Sequence, residues 1–239
     1  MEVSEGKISG ITLKNAETLT VYGLPSGTNY EISEIDPMPT GYTLSTTESS
    51  NLSGTIPAND TDGIKRIAAT AVNNFSAQGS VDFTATKAYK NGNLKDKVFS
   101  FELSQVGSAN GTGTVATADV KLGAAEKKST NKTDGASQTV KFSTIKFNEK
   151  DIGKTFYYKM VETDIPDDLD ENNVSASDHI RYDVSEHYFK VEVTEENGTL
   201  KVKKTALTNG DSESGAAFGD ALLGGLKFKK VVTVNGAAP

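Results

Sequence analysis

Apolar and polar residues alternate with a period of two along most of this chain, and this alternation restricts the fold more than any other feature. Successive side chains of a β-strand point to opposite faces of its sheet, so the alternation is typical of strands with one buried face. Asparagine–glycine pairs such as Asn91-Gly92 and Asn197-Gly198 mark tight turns between the alternating segments. Because helical periodicity is weak everywhere, we expect at most one helical turn, around Glu149–Gly153.

The alternating segments predict many short strands joined by polar turns. The strand candidates are Leu19–Tyr22, Asn29–Glu34, Ile64–Phe75, Val81–Tyr89, Val98–Ser104, Gln138–Phe147, Thr155–Glu162, Tyr182–Thr194, Leu200–Leu207 and Ala216–Leu222. Such a pattern is typical of an immunoglobulin-like (Ig-like) sandwich. With 239 residues, the chain is long enough for one large domain or two of ordinary size. We therefore predict an all-β protein made of Ig-like β-sandwich modules in tandem.

Composition argues against several classes of function. The formal net charge is -7 and the 25 basic residues are scattered, so no basic stripe indicates nucleic-acid binding. No apolar run reaches the roughly 18 residues of a membrane span, so we expect no membrane insertion in this segment. Cysteine is absent, so any cross-link within the chain is not a disulfide. Because we find neither a signal peptide nor a sorting motif, a secreted protein of this sequence would be a mature or excised segment.

Three short patterns recur near the ends of the chain, which suggests a repeated module. The patterns are tyrosine–x–apolar–x–glutamate, apolar–x–asparagine or aspartate–x–apolar, and apolar–x–apolar–x–lysine. In chain order, the marked polar residues are Glu34, Asn73, Lys87, Glu162, Asp220 and Lys230. The chain therefore holds one complete set, formed by Lys87, Glu162 and Asp220, between two partial sets.

The order of the marked residues predicts where the modules begin and end. Residues 79–223 would form a complete module, because they hold all three patterns. Residues 1–78 would form an incomplete module that lacks its first strand and its lysine. Residues 224–239 would form the first strand of a following module, because they carry only the lysine pattern.

At these residues the chain resembles the isopeptide-forming pilin and adhesin modules of Gram-positive surface proteins, the streptococcal-type pilin backbone repeat. The resemblance implies that Lys87 is the amine, Asp220 the acyl partner and Glu162 the catalytic acid of a side-chain amide bond. Asp220 stands where asparagine is commoner, so the leaving group would be water instead of ammonia. The resemblance also implies an extracellular protein of the cell surface or fimbrium.

Amide formation requires a neutral amine, an electrophilic carboxyl carbon and the exclusion of water. Lys87 shares the inward phase of its strand with Phe83 and Ala85, and burial there would favour the neutral amine. Two buried carboxyls close together would raise each other's pKa, so at least one of Glu162 and Asp220 would stay protonated. The reaction occurs once per site and requires no cofactor, so we do not expect an enzyme.

The ends of the chain are complementary, because the segment 224–239 holds the lysine that the front module lacks. We hypothesise that this segment is a donor strand that completes the first module of the next subunit. Lys230 would then bond to Asn73, with Glu34 as catalyst, although Asn74 is a possible alternative. Repeated donation between identical chains would give a head-to-tail homopolymer.

Two other interpretations stay open. The chain could be an excised segment of a tandem-repeat adhesin with imprecise boundaries. It could also be an adhesin domain that binds a host-surface or carbohydrate ligand through loops 104–136 or 163–179. The acidic residues between Asp164 and Glu171 lack the spacing of a calcium loop, so we expect no metal site. We expect both histidines, His179 and His187, at the surface.

Overall fold

The computed structural model describes residues 6–58, 67–226 and 230. The chain divides into two compact units, one made of residues 1–38 and 42–74 and the other of residues 39–41 and 75–239. Regular structure in the described residues consists of strands and two short 3₁₀ turns, Thr117–Asp119 and Glu149–Asp151. The second turn lies where the sequence predicts a helical turn, and the all-β class is confirmed.

The first unit contains short antiparallel strand pairs. Its strands are β1 (Asn29–Glu31), β2 (Tyr42–Leu44), β3 (Ser53–Thr55) and β4 (Asn73–Phe75), the last of which ends at the boundary of the unit. β1 pairs with β3, and β2 pairs with β4. Each strand is only three residues long, so little of the backbone in the described part of this unit is held in a sheet.

The described part of the first unit has no buried apolar residue. Ser45 alone is buried among residues 6–38, 42–58 and 67–74. The large apolar side chains that are exposed there are Ile11, Leu13, Leu19, Val21, Tyr22, Leu24, Ile32, Ile35, Tyr42 and Ile67. Exposed apolar surface on this scale is typical of an interaction site, since covering it removes an unfavourable contact with water.

The second unit contains two larger sheets. Its strands are β5 (Gln78–Val81), β6 (Thr84–Lys90), β7 (Ser100–Val106), β8 (Glu126–Ser129), β9 (Ser137–Lys141), β10 (Ile145–Asn148), β11 (Thr155–Thr163), β12 (Ile180–Arg181), β13 (Glu186–Glu196), β14 (Thr199–Ala206) and β15 (Gly215–Leu222). One sheet is wholly antiparallel, in the order β14-β13-β11-β7-β8. The other has the order β12-β15-β6-β9, and in it β15 and β6 are parallel. β5 and β10 form a separate antiparallel pair.

Aromatic side chains join the inner faces of the two sheets. The ring of Phe101 on β7 lies 4.9 Å from that of Phe218 on β15, and the ring of Phe83 lies 5.0 Å from that of Tyr158 on β11. All four residues are buried, as are their alternate neighbours along each strand. The second unit is therefore a sandwich, with one apolar core between a five-stranded and a four-stranded sheet.

Most strand predictions for the second unit are confirmed, and those for the first are less accurate. The predicted strand Gln138–Phe147 divides into β9 and β10. The predicted strand Leu19–Tyr22 is wrong, since those residues are exposed and outside any strand. Alternation predicts a strand only where one face is buried, and the described part of this unit buries almost nothing. The predicted strand Ile64–Phe75 ends in β4, and its residues 64–66 lie outside the described residues.

His187 lies in the core, contrary to the expectation that both histidines are surface residues. It sits on β13 in the same phase as Phe189 and Val191, and it is buried. Its Nδ1 lies 2.8 Å from Asp211 Oδ2, and its ring centre lies 4.3 Å from that of Phe218. The partner carboxylate makes burial of the imidazole tolerable. His179 is exposed, as expected.

Two kinds of site are absent from the described residues. None of their helices is long and apolar enough to cross a membrane. Residues 6–58, 67–226 and 230 also contain no group of three histidine, aspartate or glutamate residues that could hold a metal ion.

Candidate functional site: a buried lysine between two carboxylates

Lys87 is an ionisable residue at the centre of the sandwich. It lies on β6, whose inward positions are Ala85, Lys87 and Tyr89, and its side chain is 0% exposed. A snorkelling lysine would keep its amine in water, so complete burial requires specific partners for the amine.

Glu162 lies on the opposite sheet. It occupies an inward position near the end of β11, where its backbone is paired with that of Phe101 on β7. Because β11 is flanked by β7 and β13, the glutamate is on a central strand, and its side chain is 1% exposed.

Asp220 lies on β15, the parallel neighbour of β6. The register places Phe218 opposite Lys87 and Asp220 opposite Tyr89. All four positions are inward, so Lys87 and Asp220 are diagonal neighbours on the same face of the sheet. The side chain of Asp220 is fully buried.

The structure brings these three side chains together. Lys87 Nζ lies 2.5 Å from Glu162 Oε2 and 2.5 Å from Asp220 Oδ1. The ring centre of Phe99 lies 4.3 Å from the same nitrogen and covers it with an apolar surface. The amine is thus held against the acyl group that it would attack and against the acid that would take its proton.

Burial favours the uncharged form of both carboxyls. It raises the pKa of Glu162 to about 8, and the negative field of Asp220 adds to this while Lys87 opposes it. Burial likewise raises the pKa of Asp220 above its ordinary value, again against the effect of Lys87. At neutral pH the pair therefore retains at least one proton.

One proton transfer would leave all three groups of this trio uncharged. If the ammonium of Lys87 gives a proton to Glu162 while Asp220 is protonated, all three groups are neutral, and burial favours neutral groups. Glu162 Oε1 and Asp220 Oδ2 are buried and have no hydrogen-bond partner in the part of the chain that the structure describes. A carboxyl proton shared between these two oxygens would satisfy both.

This proton count predicts how the rate of bond formation depends on pH. Chains unfolded in denaturant, before any bond has formed, are refolded at a series of pH values, and the bonded fraction is followed by intact mass. We expect the rate to fall about tenfold per pH unit above about 8, because the protonated carboxyl of the trio is then lost. A rate that continues to rise between pH 8 and 10 would show that deprotonation of the amine is limiting instead.

Residues 83–220 match the family described as the Spy0128-like isopeptide containing domain. The match covers more than half of the chain and spans the trio. The chain belongs to this family. Membership confirms the resemblance to the isopeptide-forming modules of Gram-positive pilins.

Other comparisons cover different parts of the chain. Residues 2–74 match a domain of unknown function, DUF7601. The major pilin protein T-13 of Streptococcus pyogenes is a solved structure with 16% sequence identity and a TM-score of 0.32, over 62% of this chain and 53% of that chain. This chain thus spans about half the length of that pilin. No curated protein matches the chain.

The two marked residues of the first partial set, Glu34 and Asn73, also meet. Asn73 Nδ2 donates a hydrogen bond to Glu34 Oε1 at 3.0 Å, although the residues are far apart in sequence. Asn73 makes this contact, which favours it over Asn74, and both asparagines are exposed. Lys230 is exposed, and most of its predicted strand, at residues 227–229 and 231–239, lies outside the described residues.

Sequence reasoning missed two contacts of the isopeptide-type site. Phe99 over the amine carries no pattern of its own, although it is an apolar residue near the start of a predicted strand. The second is a main-chain contact, in which the N–H of Asp183 donates to Asp220 Oδ1 at 2.8 Å. A backbone donor has no side-chain signature, so nothing in the sequence could have found it.

Proposed function

We propose that this chain is a structural subunit of a bacterial surface fibre, a pilus or adhesin stalk, locked by an amide bond between Lys87 and Asp220. The observation that carries the proposal is the buried amine 2.5 Å from both Glu162 and Asp220. Membership of an isopeptide-containing family supports it. A buried lysine between two acids is costly to fold, and a covalent bond removes both charges.

The bond forms in two steps at the Cγ atom of Asp220. The neutral amine of Lys87 adds to this carbon. The protonated Glu162 gives its proton to the hydroxyl of Asp220, which leaves as water, and takes a proton from the attacking nitrogen in return. Holding the reactants in contact can lower the barrier by about 7–11 kcal/mol. Each chain reacts once and is itself the reactant, so it does not turn over a substrate as an enzyme does.

The position of the bond suits a protein under tension. It would join β6 to β15, the strands that begin and end the main sandwich, and close a loop of about 130 residues. A force that enters at one of these strands and leaves at the other would pass through the covalent bond. The sandwich between them would therefore stay folded under load.

Strand donation between subunits is the second part of the proposal. Residues 1–78 form an incomplete module that accepts the segment 224–239 of a neighbouring subunit, and residues 79–223 form the complete module. The exposed apolar residues of the first unit support this, as does the contact between Glu34 and Asn73. Leu226, at the start of the donated segment, is 95% exposed. An added strand would cover this apolar surface and bring Lys230 to Asn73.

The assembled product is a head-to-tail homopolymer on the outside of the cell. Donation from one identical chain to the next is a heterologous contact, and such contacts extend into filaments when they do not close into rings. If Lys230 attacks Asn73, ammonia leaves instead of water.

Peptide mapping tests the internal bond at residue resolution. We expect protease digestion of the denatured protein to yield a branched peptide in which Lys87 is joined to Asp220, with the mass of the two linear peptides less one water. The Glu162→Gln variant should yield the two linear peptides separately. Linear peptides from the unaltered chain would overturn the proposal.

A further inference from the structure

Asp183 and the end of β15 hold each other through two reciprocal hydrogen bonds. The main-chain N–H of Asp183 donates to Asp220 Oδ1 at 2.8 Å, and the carboxylate of Asp183 accepts from the main-chain N–H of Gly219 at 2.9 Å. The same carboxylate accepts from the N–H of Ser185 at 3.1 Å. Residue 183 lies between β12 and β13, so it contacts β15 from outside the parallel pair that carries Lys87 and Asp220.

We propose that the main-chain N–H of Asp183 is the oxyanion donor for the amide-forming reaction, and that the Asp183 carboxylate positions it. This inference rests on the proposed function of the site. When the amine adds to Cγ of Asp220, the electron pair of the C=O bond moves to one oxygen, and an N–H already directed at that oxygen stabilises the charge. The hydroxyl on the other oxygen leaves as water.

The contacts of the two oxygens of Asp220 assign these roles. Oδ1 accepts from the Asp183 N–H and lies against Lys87 Nζ. Oδ2 is buried and has no hydrogen-bond partner among the described residues, and the same is true of Oε1 of Glu162. Oδ1 is thus the oxygen that becomes the oxyanion. Oδ2 is the leaving oxygen, and it takes its proton from Glu162.

The carboxylate of Asp183 is suited to hold this donor in place. Although burial opposes ionisation, the N–H groups of Gly219 and Ser185 hold the pKa of Asp183 below its ordinary value. An ionised carboxylate accepts two hydrogen bonds at once and ties the donor to the residue that precedes Asp220. The alignment is therefore present before the reaction begins.

The direct test replaces one main-chain N–H by an oxygen atom and leaves the side chain unchanged. Asp183 is replaced by its α-hydroxy acid, which converts the main-chain amide into an ester and deletes the N–H. We expect bond formation after refolding to slow by about 100- to 1,000-fold. The matched control is the same ester at Tyr182, which removes a main-chain hydrogen bond of similar length, to the carbonyl of Asn173 at 2.9 Å. Equal rates for the two esters would overturn the inference.

Two further measurements keep the test decisive if the ester variant folds poorly. Asp183→Ala should slow bond formation because the donor is no longer held, and Asp183→Asn should restore part of the rate because it retains one acceptor oxygen. The pH above which the rate falls should stay at about 8 in both, because Glu162 is unchanged. Bond formation in Asp183→Ala at the rate of the unaltered chain would overturn the positioning role. An unaltered chain that never loses water would instead overturn the proposed function itself.

Discussion

Replacing Glu162 by glutamine is expected to leave the chain at its full translated mass and to lower its melting temperature by about 10–20 °C. The chain keeps its full mass because glutamine cannot accept the proton of the amine, so the bond does not form and no water is lost. The melting temperature falls because the bond closes a loop of about 130 residues. By the chain-entropy expression for disulfides, closing such a loop stabilises the folded state by about 5 kcal/mol. For a domain of this size, 1 kcal/mol corresponds to about 2–4 °C.

Two control variants separate the bond from its surroundings. Lys87→Met also prevents the bond, but it replaces the buried amine by an apolar side chain. It therefore removes the cost of burying an unbonded amine, which Glu162→Gln retains. Glu102→Gln makes the same substitution on the neighbouring strand β7, where Glu102 pairs with Lys127 at 3.8 Å near the surface. Intact mass under denaturing conditions and calorimetry report on all three.

We expect Lys87→Met to have the mass of an unbonded chain and Glu102→Gln to have lost one water. Glu102→Gln should melt within a few degrees of the unaltered protein, because exposed ion pairs contribute about 0–1 kcal/mol. A Glu162→Gln chain that still loses water would contradict the role given to this glutamate. An unbonded Glu162→Gln chain that melts with the unaltered protein would contradict the stabilising role of the bond.

Replacing Lys230 by alanine is expected to abolish multimers that survive boiling in detergent. If Lys230 bonds to Asn73 of the next subunit, the concentrated protein gives a ladder of covalent multimers on a denaturing gel. The lysine is required for each link between subunits. Asn73→Ala should abolish the ladder equally. Lys229→Ala and Asn74→Ala change the neighbouring residue of the same type and should leave the ladder intact. A ladder that persists in Lys230→Ala would contradict this chemistry.

Mixing the two inactive variants tests whether the bond runs between chains. Asn73→Ala retains the donor lysine, and Lys230→Ala retains the acceptor asparagine. Neither forms multimers alone, but a mixture should give a covalent dimer and nothing larger, because each product lacks a second reactive pair. If the unaltered chain remains a monomer at high concentration, the chain is better described as a segment of a tandem-repeat adhesin.

The sequence predicts the second unit better than the first because the core of the second unit enforces its strand phase. The sequence carried the signal for the buried position of His187, although the prediction of a surface residue was wrong. His187 alternates with Phe189 and Val191, so its inward position could have been predicted from phase. Its partner Asp211 lies in a loop outside any pattern, and only the packed structure brings the two residues together.

The alternation of the chain by itself determined the all-β class and the inward position of Lys87, and the resemblance carried by the recurring patterns implied Glu162 and Asp220 as its partners. Strand periodicity and the recurring patterns are both properties of short segments of the sequence. They can therefore be recognised without knowledge of the tertiary structure. Tertiary structure decided which atoms meet: the 2.5 Å contacts of the amine, the ring of Phe99 over it, and the backbone donor of Asp183. Sheet register and the packing of two sheets set these distances, and neither is encoded in any single segment of the chain.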